Sequence, residues 1–170
     1  MSELITEKTL EEYEAFVQSS PKGNFAQSVL WAKQKPMWTW KAIATRGKDG
    51  HIKGTLAVLI RKVPGTPFTL MYGCRGPVCD PADHDTIKDL LQGAKQLAKQ
   101  YKSYVIKLDP DIPSSNEQFR NFMLGQGFRL KEGGKNFEAI QPRYVFRLNV
   151  EGKTEEEIQA GFHQKWRYNI

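Results

Sequence analysis

Sulfur and imidazole are scarce in this 170-residue chain, which carries two cysteines and three histidines. Cys74 and Cys79 have no further cysteines to pair with, and His51, His84 and His163 are scattered, so the sequence suggests neither a disulfide framework nor a metal site. No apolar run approaches the roughly 18 residues needed to cross a bilayer. The opening Met1-Ser-Glu-Leu4 also lacks the basic and apolar regions of a signal peptide, and together these absences predict a cytoplasmic protein. There is no Gly-x-Ser-x-Gly elbow, no P-loop and no evident Cys and His pair, so no motif announces a covalent nucleophile. Internal repeats and low-complexity tracts are missing as well.

What remains is an ordinary globular composition. Hydrophobic residues make up 39% and charged residues 26%, in a length that suits one domain with a real core. The formal net charge of +6 favours anionic partners, phosphate-bearing ones among them, without choosing between them.

Periodicity sets out the elements. Thr9 with Glu12 reads as a capping box before a helix over about 9–19 on which Leu10, Tyr13, Phe16 and Val17 share a face. Gln27-Ser28 is placed to cap a short helix through Ala32 or Lys33, and Pro36 to end it. Trp40–Arg46 and Ile52–Val63 read as an antiparallel hairpin turning at Lys48-Asp49-Gly50, and Phe68–Tyr72 as a third strand running into a Gly73–Pro77 loop. Asp80-Pro81 opens the clearest helix, with Ile87, Leu90, Leu91, Ala94, Leu97 and Ala98 at helical spacing. Tyr104–Leu108 makes a fourth strand, and Ser114 with Glu117 starts a helix that ends at Gly125-Gln-Gly127. Tyr144–Val150 alternates as a last strand. Thr154 with Glu157 then caps a helix whose stripe Ile158, Phe162, Trp166 and Ile170 is still running at the last residue, which predicts a continuation into something further.

The succession of a hairpin followed by strands separated by helices predicts a mixed α/β domain, and it resembles the GNAT (N-acetyltransferase-like) fold. Phe25-Ala-Gln-Ser-Val-Leu-Trp-Ala-Lys-Gln-Lys35, Tyr72-Gly-Cys-Arg-Gly-Pro77 and Phe162-His-Gln-Lys-Trp-Arg-Tyr-Asn-Ile170 together resemble the FemABX family. Members of that family move an amino acid from aminoacyl-tRNA to the stem peptide of a peptidoglycan precursor and contain two GNAT-like domains. The resemblance implies that residues 1–150 are the first of these and that 151–170 lead toward a second one absent from this chain.

It further implies site residues. Lys35 matches the family lysine near the precursor's diphosphate, where a point cation neutralises phosphate oxygens without demanding planar geometry. Tyr72 and Arg75 flank the loop glycines, and Tyr104 matches a precursor-binding tyrosine. Asp109 matches an aspartate of the precursor site and is the one acid nominated as general base, with a turn-holding role before Pro110 as its alternative. Arg167 and Tyr168, in the closing Arg-Tyr-Asn, meet either RNA or the neighbouring domain. The implied partners are aminoacyl-tRNA as co-substrate and a lipid-linked or nucleotide-linked peptidoglycan precursor, with peripheral contact to the membrane surface also allowed. No cofactor and no metal are expected. Two other readings stand beside this one: an acetyl-CoA-dependent N-acetyltransferase, although the usual Arg/Gln-x-x-Gly-x-Gly/Ala segment is missing from the expected place, and a non-catalytic module that binds RNA or a cell-wall precursor.

Overall fold

A computed structural model describes residues 1–131 and 147–169. Met1–Glu132 forms one compact unit and Gly133–Ile170 another. The first unit contains, in order, β1 (Glu3–Leu4), α1 (Leu10–Ser19), α2 (Val29–Lys33), β2 (Thr39–Arg46), β3 (Ile52–Lys62), β4 (Thr69–Arg75), α3 (His84–Gln100), β5 (Ser103–Pro110) and α4 (Glu117–Gly125). In the second unit α5 (Glu155–Ala160) and α6 (Gln164–Arg167) are the described elements.

The strands lie in sequence order in one five-stranded sheet, and β1 to β4 pair antiparallel. Gly50, at φ 82°, makes the β2–β3 turn in a backbone region that side chains with a Cβ rarely enter. Joining β4 to its parallel neighbour β5 requires a crossover, and α3 supplies it.

Alternation along the strands divides the core in two. Leu56, Val58 and Ile60 of β3 join Met71 and the α3 residues Ile87, Leu90, Leu91, Ala94 and Leu97 in one cluster that also takes in Phe119 and Met123 of α4. Ala57 of β3 and Ala42 and Ala44 of β2 point to the other face, where Tyr13 and Val17 of α1 pack. Arg46 ties that face together at its rim, donating to Glu3 Oε1 at 2.7 Å and, through both terminal nitrogens, to the Glu12 carboxylate at 2.6 and 2.7 Å.

The mixed α/β architecture predicted from the sequence is what forms, with several local corrections. Glu12 does not close a capping box with Thr9, because Arg46 holds its carboxylate; the reciprocal pair is Thr6 and Thr9. The α3 cap is Asp83 rather than Asp80: its carboxylate accepts the Thr86 N–H at 3.0 Å and the Thr86 hydroxyl at 2.8 Å, leaving Asp80 to bond Ala82 in the turn before. Asn116, not Ser114, caps α4 by accepting the Phe119 N–H at 3.0 Å. The third strand runs on through Gly73, Cys74 and Arg75, where a loop was expected, because β5 pairs with those residues as far as Pro110. The short β1 gave no sequence signal.

Of the strand expected over 144–150, residues 144–146 lie outside the described residues and 147–150 take no regular structure. Thr154 and Glu157 do form their capping box. The helix expected from there to Ile170 is instead two short ones: the chain caps α5 at Gly161, and His163 opens α6 by accepting the Lys165 N–H at 3.3 Å. Ile170 lies outside the described residues.

Candidate functional site

Parallel pairing of β4 with β5 sets Cys74 beside Asp109 and Tyr72 beside Lys107 at the carboxyl ends of the two strands. The Asp109 carboxylate serves both sides of that junction. Its Oδ2 accepts the Tyr72 hydroxyl at 2.7 Å, and its Oδ1 accepts the Arg75 N–H at 2.7 Å. The second bond fixes Arg75 at φ 56°, a left-handed backbone that a non-glycine residue adopts only when its surroundings hold it there. The guanidinium lies 3.9 Å from the Asp111 carboxylate, and the Lys22 ammonium donates to the Asp111 carbonyl at 3.1 Å. Two cations therefore border the same strand ends.

Burial is the main influence on the titration of these groups. It pushes the Asp109 carboxyl up from its ordinary value, against the opposing effects of the Arg75 N–H and the Tyr72 hydroxyl. It also raises the Tyr72 phenol, with further contributions from Cys74 and Asp109, so that Tyr72 stays protonated and remains the donor to Asp109. A carboxylate with raised basicity beside a fixed phenol is chemically suited to receive a proton.

A third segment enters through Gln27, which is fully buried in a 3-10 turn at Phe25–Gln27. The β3–β4 ladder stops at Leu59 and Tyr72, and the Gln27 amide bridges the strands beyond that point. Its Oε1 accepts the Ala57 N–H at 2.8 Å, while its Nε2 donates to the Cys74 carbonyl at 2.6 Å and to the Ala57 carbonyl at 3.3 Å. Tyr13 donates its hydroxyl to the Gln27 carbonyl at 2.6 Å. Gly76 makes this approach feasible, since a Cβ there would come within 2.8 Å of both amide atoms of Gln27. Sequence reasoning read Gln27 only as part of a helix start and missed this bridge; one glutamine ahead of a capping serine carries no periodic signal of burial.

The bridge holds the start of α2 against β4, and α2 leads to Lys35. Its ammonium stands over the Trp31 ring, 4.7 Å from the centroid, and forms no ion pair among the described residues. A cation held against an aromatic face keeps its N–H donors directed outward.

The structure thus joins Tyr72, Arg75 and Asp109 directly, and Lys35 hangs from the segment bolted to them. Tyr104 is at the opposite end of β5 and 64% exposed. Arg167 ends α6 and Tyr168 follows it, both exposed and both in the second compact unit. Among the described residues there is no cluster of His, Cys, Asp or Glu fit to hold a metal ion.

A family model described as the FemAB family matches residues 8–170. The chain belongs to the FemAB family. It is 36% identical over 168 residues to the Lipid II:glycine glycyltransferase of Staphylococcus haemolyticus (strain JCSC1435), across 95% of this chain and 39% of that protein. The protein of the same description from Staphylococcus aureus (strain MRSA252) is 35% identical over the same extent. The chain therefore spans about two fifths of the length of these FemAB relatives. A crystal structure of FemX superposes with a TM-score of 0.83 at 33% identity, covering 98% of this chain and 42% of that one. A probable acetyltransferase superposes with a TM-score of 0.57 at 14% identity, over 88% of this chain and 98% of that chain, which places the FemAB unit in the GNAT-like fold.

Proposed function

We propose that this chain is the precursor-holding part of an aminoacyltransferase that moves an amino acid from aminoacyl-tRNA to the stem peptide of a peptidoglycan precursor. The observation that carries the reading is the Asp109 junction, which fixes Tyr72 and Arg75 at the carboxyl ends of two parallel strands on a FemAB scaffold. Lys35 supplies the cation for a precursor diphosphate, and Arg75 lies where a second anionic group, phosphate or carboxylate, is gripped.

The donor ester is already activated, so the protein's work is alignment and charge stabilisation. The stem-peptide amine attacks the ester carbonyl, the new C–N bond forms, the ester C–O bond breaks, and the tRNA hydroxyl leaves with a proton. Asp109 receives the proton that the amine gives up. The Tyr72 hydroxyl and the Arg75 N–H hold its carboxylate in one orientation while it does so. Arg167 and Tyr168 meet RNA or a neighbouring domain in this scheme.

The acetyl-CoA reading meets a physical obstacle at α3. A pyrophosphate would bind the N–H groups of that helix start, but Asp83 already occupies it. Hydrogen bonds from Lys53 and then from Thr86 hold that carboxyl down at about 2, so the position is anionic throughout the neutral range.

Titration calorimetry with a soluble nucleotide-linked muropeptide tests the proposal. Lys35→Ala is expected to cost about 2 kcal/mol, near thirtyfold in Kd, with a shallower salt dependence. Absence of binding to the folded chain, or affinity indifferent to both Lys35→Ala and Arg75→Ala, overturns it.

A further inference from the structure

Between Glu14 and Asp49 the sequence holds no acidic residue, whereas Lys22, Lys33, Lys35, Lys41 and Lys48 all fall within that span. Glu14, at its edge, is turned inward: its carboxylate accepts the Ser28 hydroxyl and the Val29 N–H, each at 2.7 Å, at the start of α2. Large apolar side chains stand out from the same stretch. Phe25 is 68% exposed, Leu30 63% and Met37 75%.

Two of the side chains in this stretch, Phe25 and Lys35, meet Trp31. The Phe25 ring meets it edge-on at 5.3 Å, Leu30 is its neighbour in α2, and the Lys35 ammonium covers its face. Met37 follows in the turn that the Trp38 N–H closes on the Lys35 carbonyl at 2.9 Å. Exposed apolar side chains in a lysine-rich stretch without acidic residues, with the Lys35 ammonium over Trp31, have the chemistry of a segment that dips into a bilayer while its cations stay with the headgroups.

We propose that Phe25, Leu30 and Met37 seat this chain on an anionic phospholipid surface, with Lys33 and its neighbouring lysines against the lipid phosphates. The proposal rests on the precursor reading above: a diphosphate taken by Lys35 and carried on a lipid lies in the headgroup plane, beside this segment. Electrostatic attraction to anionic lipid draws the segment in, and burial of the three side chains retains it. Charge complementarity favours a bilayer over a second copy of this chain, since two such lysine-rich segments repel.

The experiment is cosedimentation of the chain with vesicles of phosphatidylglycerol and phosphatidylcholine in equal parts, and with vesicles of phosphatidylcholine alone, neither containing precursor. The chain is expected to prefer the anionic vesicles and to dissociate as salt rises. The variant F25S/L30S/M37S is expected to partition at least about tenfold more weakly, while Leu30→Trp binds more tightly, so a gain as well as a loss reads the same surface. Lys33→Gln is expected to flatten the salt dependence. Equal partition to both vesicle types, retention of the triple variant, no gain from Leu30→Trp, or a dimer in solution that the triple variant dissolves would each overturn the proposal. The soluble muropeptide titration separates the two readings: unchanged muropeptide affinity is expected in L30S/M37S, which leaves the Phe25–Trp31 contact beneath Lys35 in place. Vesicle binding that persists where muropeptide binding is absent sinks the precursor reading and leaves the surface without its stated reason.

Discussion

At the scale of single residues, Asp109 holds Tyr72 and Arg75 together and is proposed to accept a proton, and a conservative variant separates the two roles. Asp109→Asn keeps an oxygen for the Arg75 N–H but loses the carboxylate proposed as the base. In the longer FemAB enzyme it is expected to lower kcat by about a hundredfold with little change in KM for the precursor, as measured by transfer of labelled amino acid. A rise in KM with kcat unchanged would make Asp109 a positioning residue. Tyr72→Phe removes the donor to Oδ2 and leaves an already buried carboxyl less supported. Its pKa then rises further, moving the acid limb of the pH profile upward. Tyr72, Arg75 and Asp109 were named from the sequence through the family resemblance and their place at strand ends, and the structure joins the three. Gln27 was missed, because its role depends on where two strands part company far away in sequence.

At the scale of elements, the caps show how sequence reading goes astray by a few residues. Asp80-Pro81 and Ser114 each match a helix-start pattern, yet Asp83 and Asn116 do the capping, since several residues in each turn offer the same oxygen and the tertiary setting selects one. Asp83 gains from Lys53, whose ammonium is 2.7 Å from its Oδ2. Because the folded-state pKa of Asp83 is depressed, to about 2, its contribution is complete above the unfolded value and is lost as pH falls through the folded one. Asp83→Ala is therefore expected to cost about 1 kcal/mol at neutral pH by urea unfolding. The gap to the parent should close as pH drops from roughly 4, the unfolded carboxylate range, toward about 2. Strand limits erred for a related reason: β4 looks finished at Tyr72 when Gly73 and Gly76 follow, but pairing with β5 carries it to Arg75. The break at Gly161 was equally hidden, because the stripe of Ile158, Phe162 and Trp166 repeats as though one helix ran through it.

At the scale of the whole molecule, the succession of elements was readable because hydrophobic period distinguishes strand from helix, and that succession implied a mixed α/β domain. What periodicity could not show was that β4 and β5 pair in parallel, or how the N-terminal segment reaches across to the sheet. The Gln27 amide links residues that lie 30 and 47 positions apart from it, and no local pattern encodes such a join. Gln27→Leu leaves the Ala57 N–H and the Cys74 carbonyl buried without that partner and is expected to lower stability by about 2–4 kcal/mol, seen as a reduced urea midpoint. Such a join matures late: both strands and the stretch leading to α2 must already be in place before one side chain can clasp all three. A partly denatured chain would therefore release the stretch before α2 while most of the sheet endured, and hydrogen exchange at the Ala57 amide would run ahead of exchange at Val58 and Leu59.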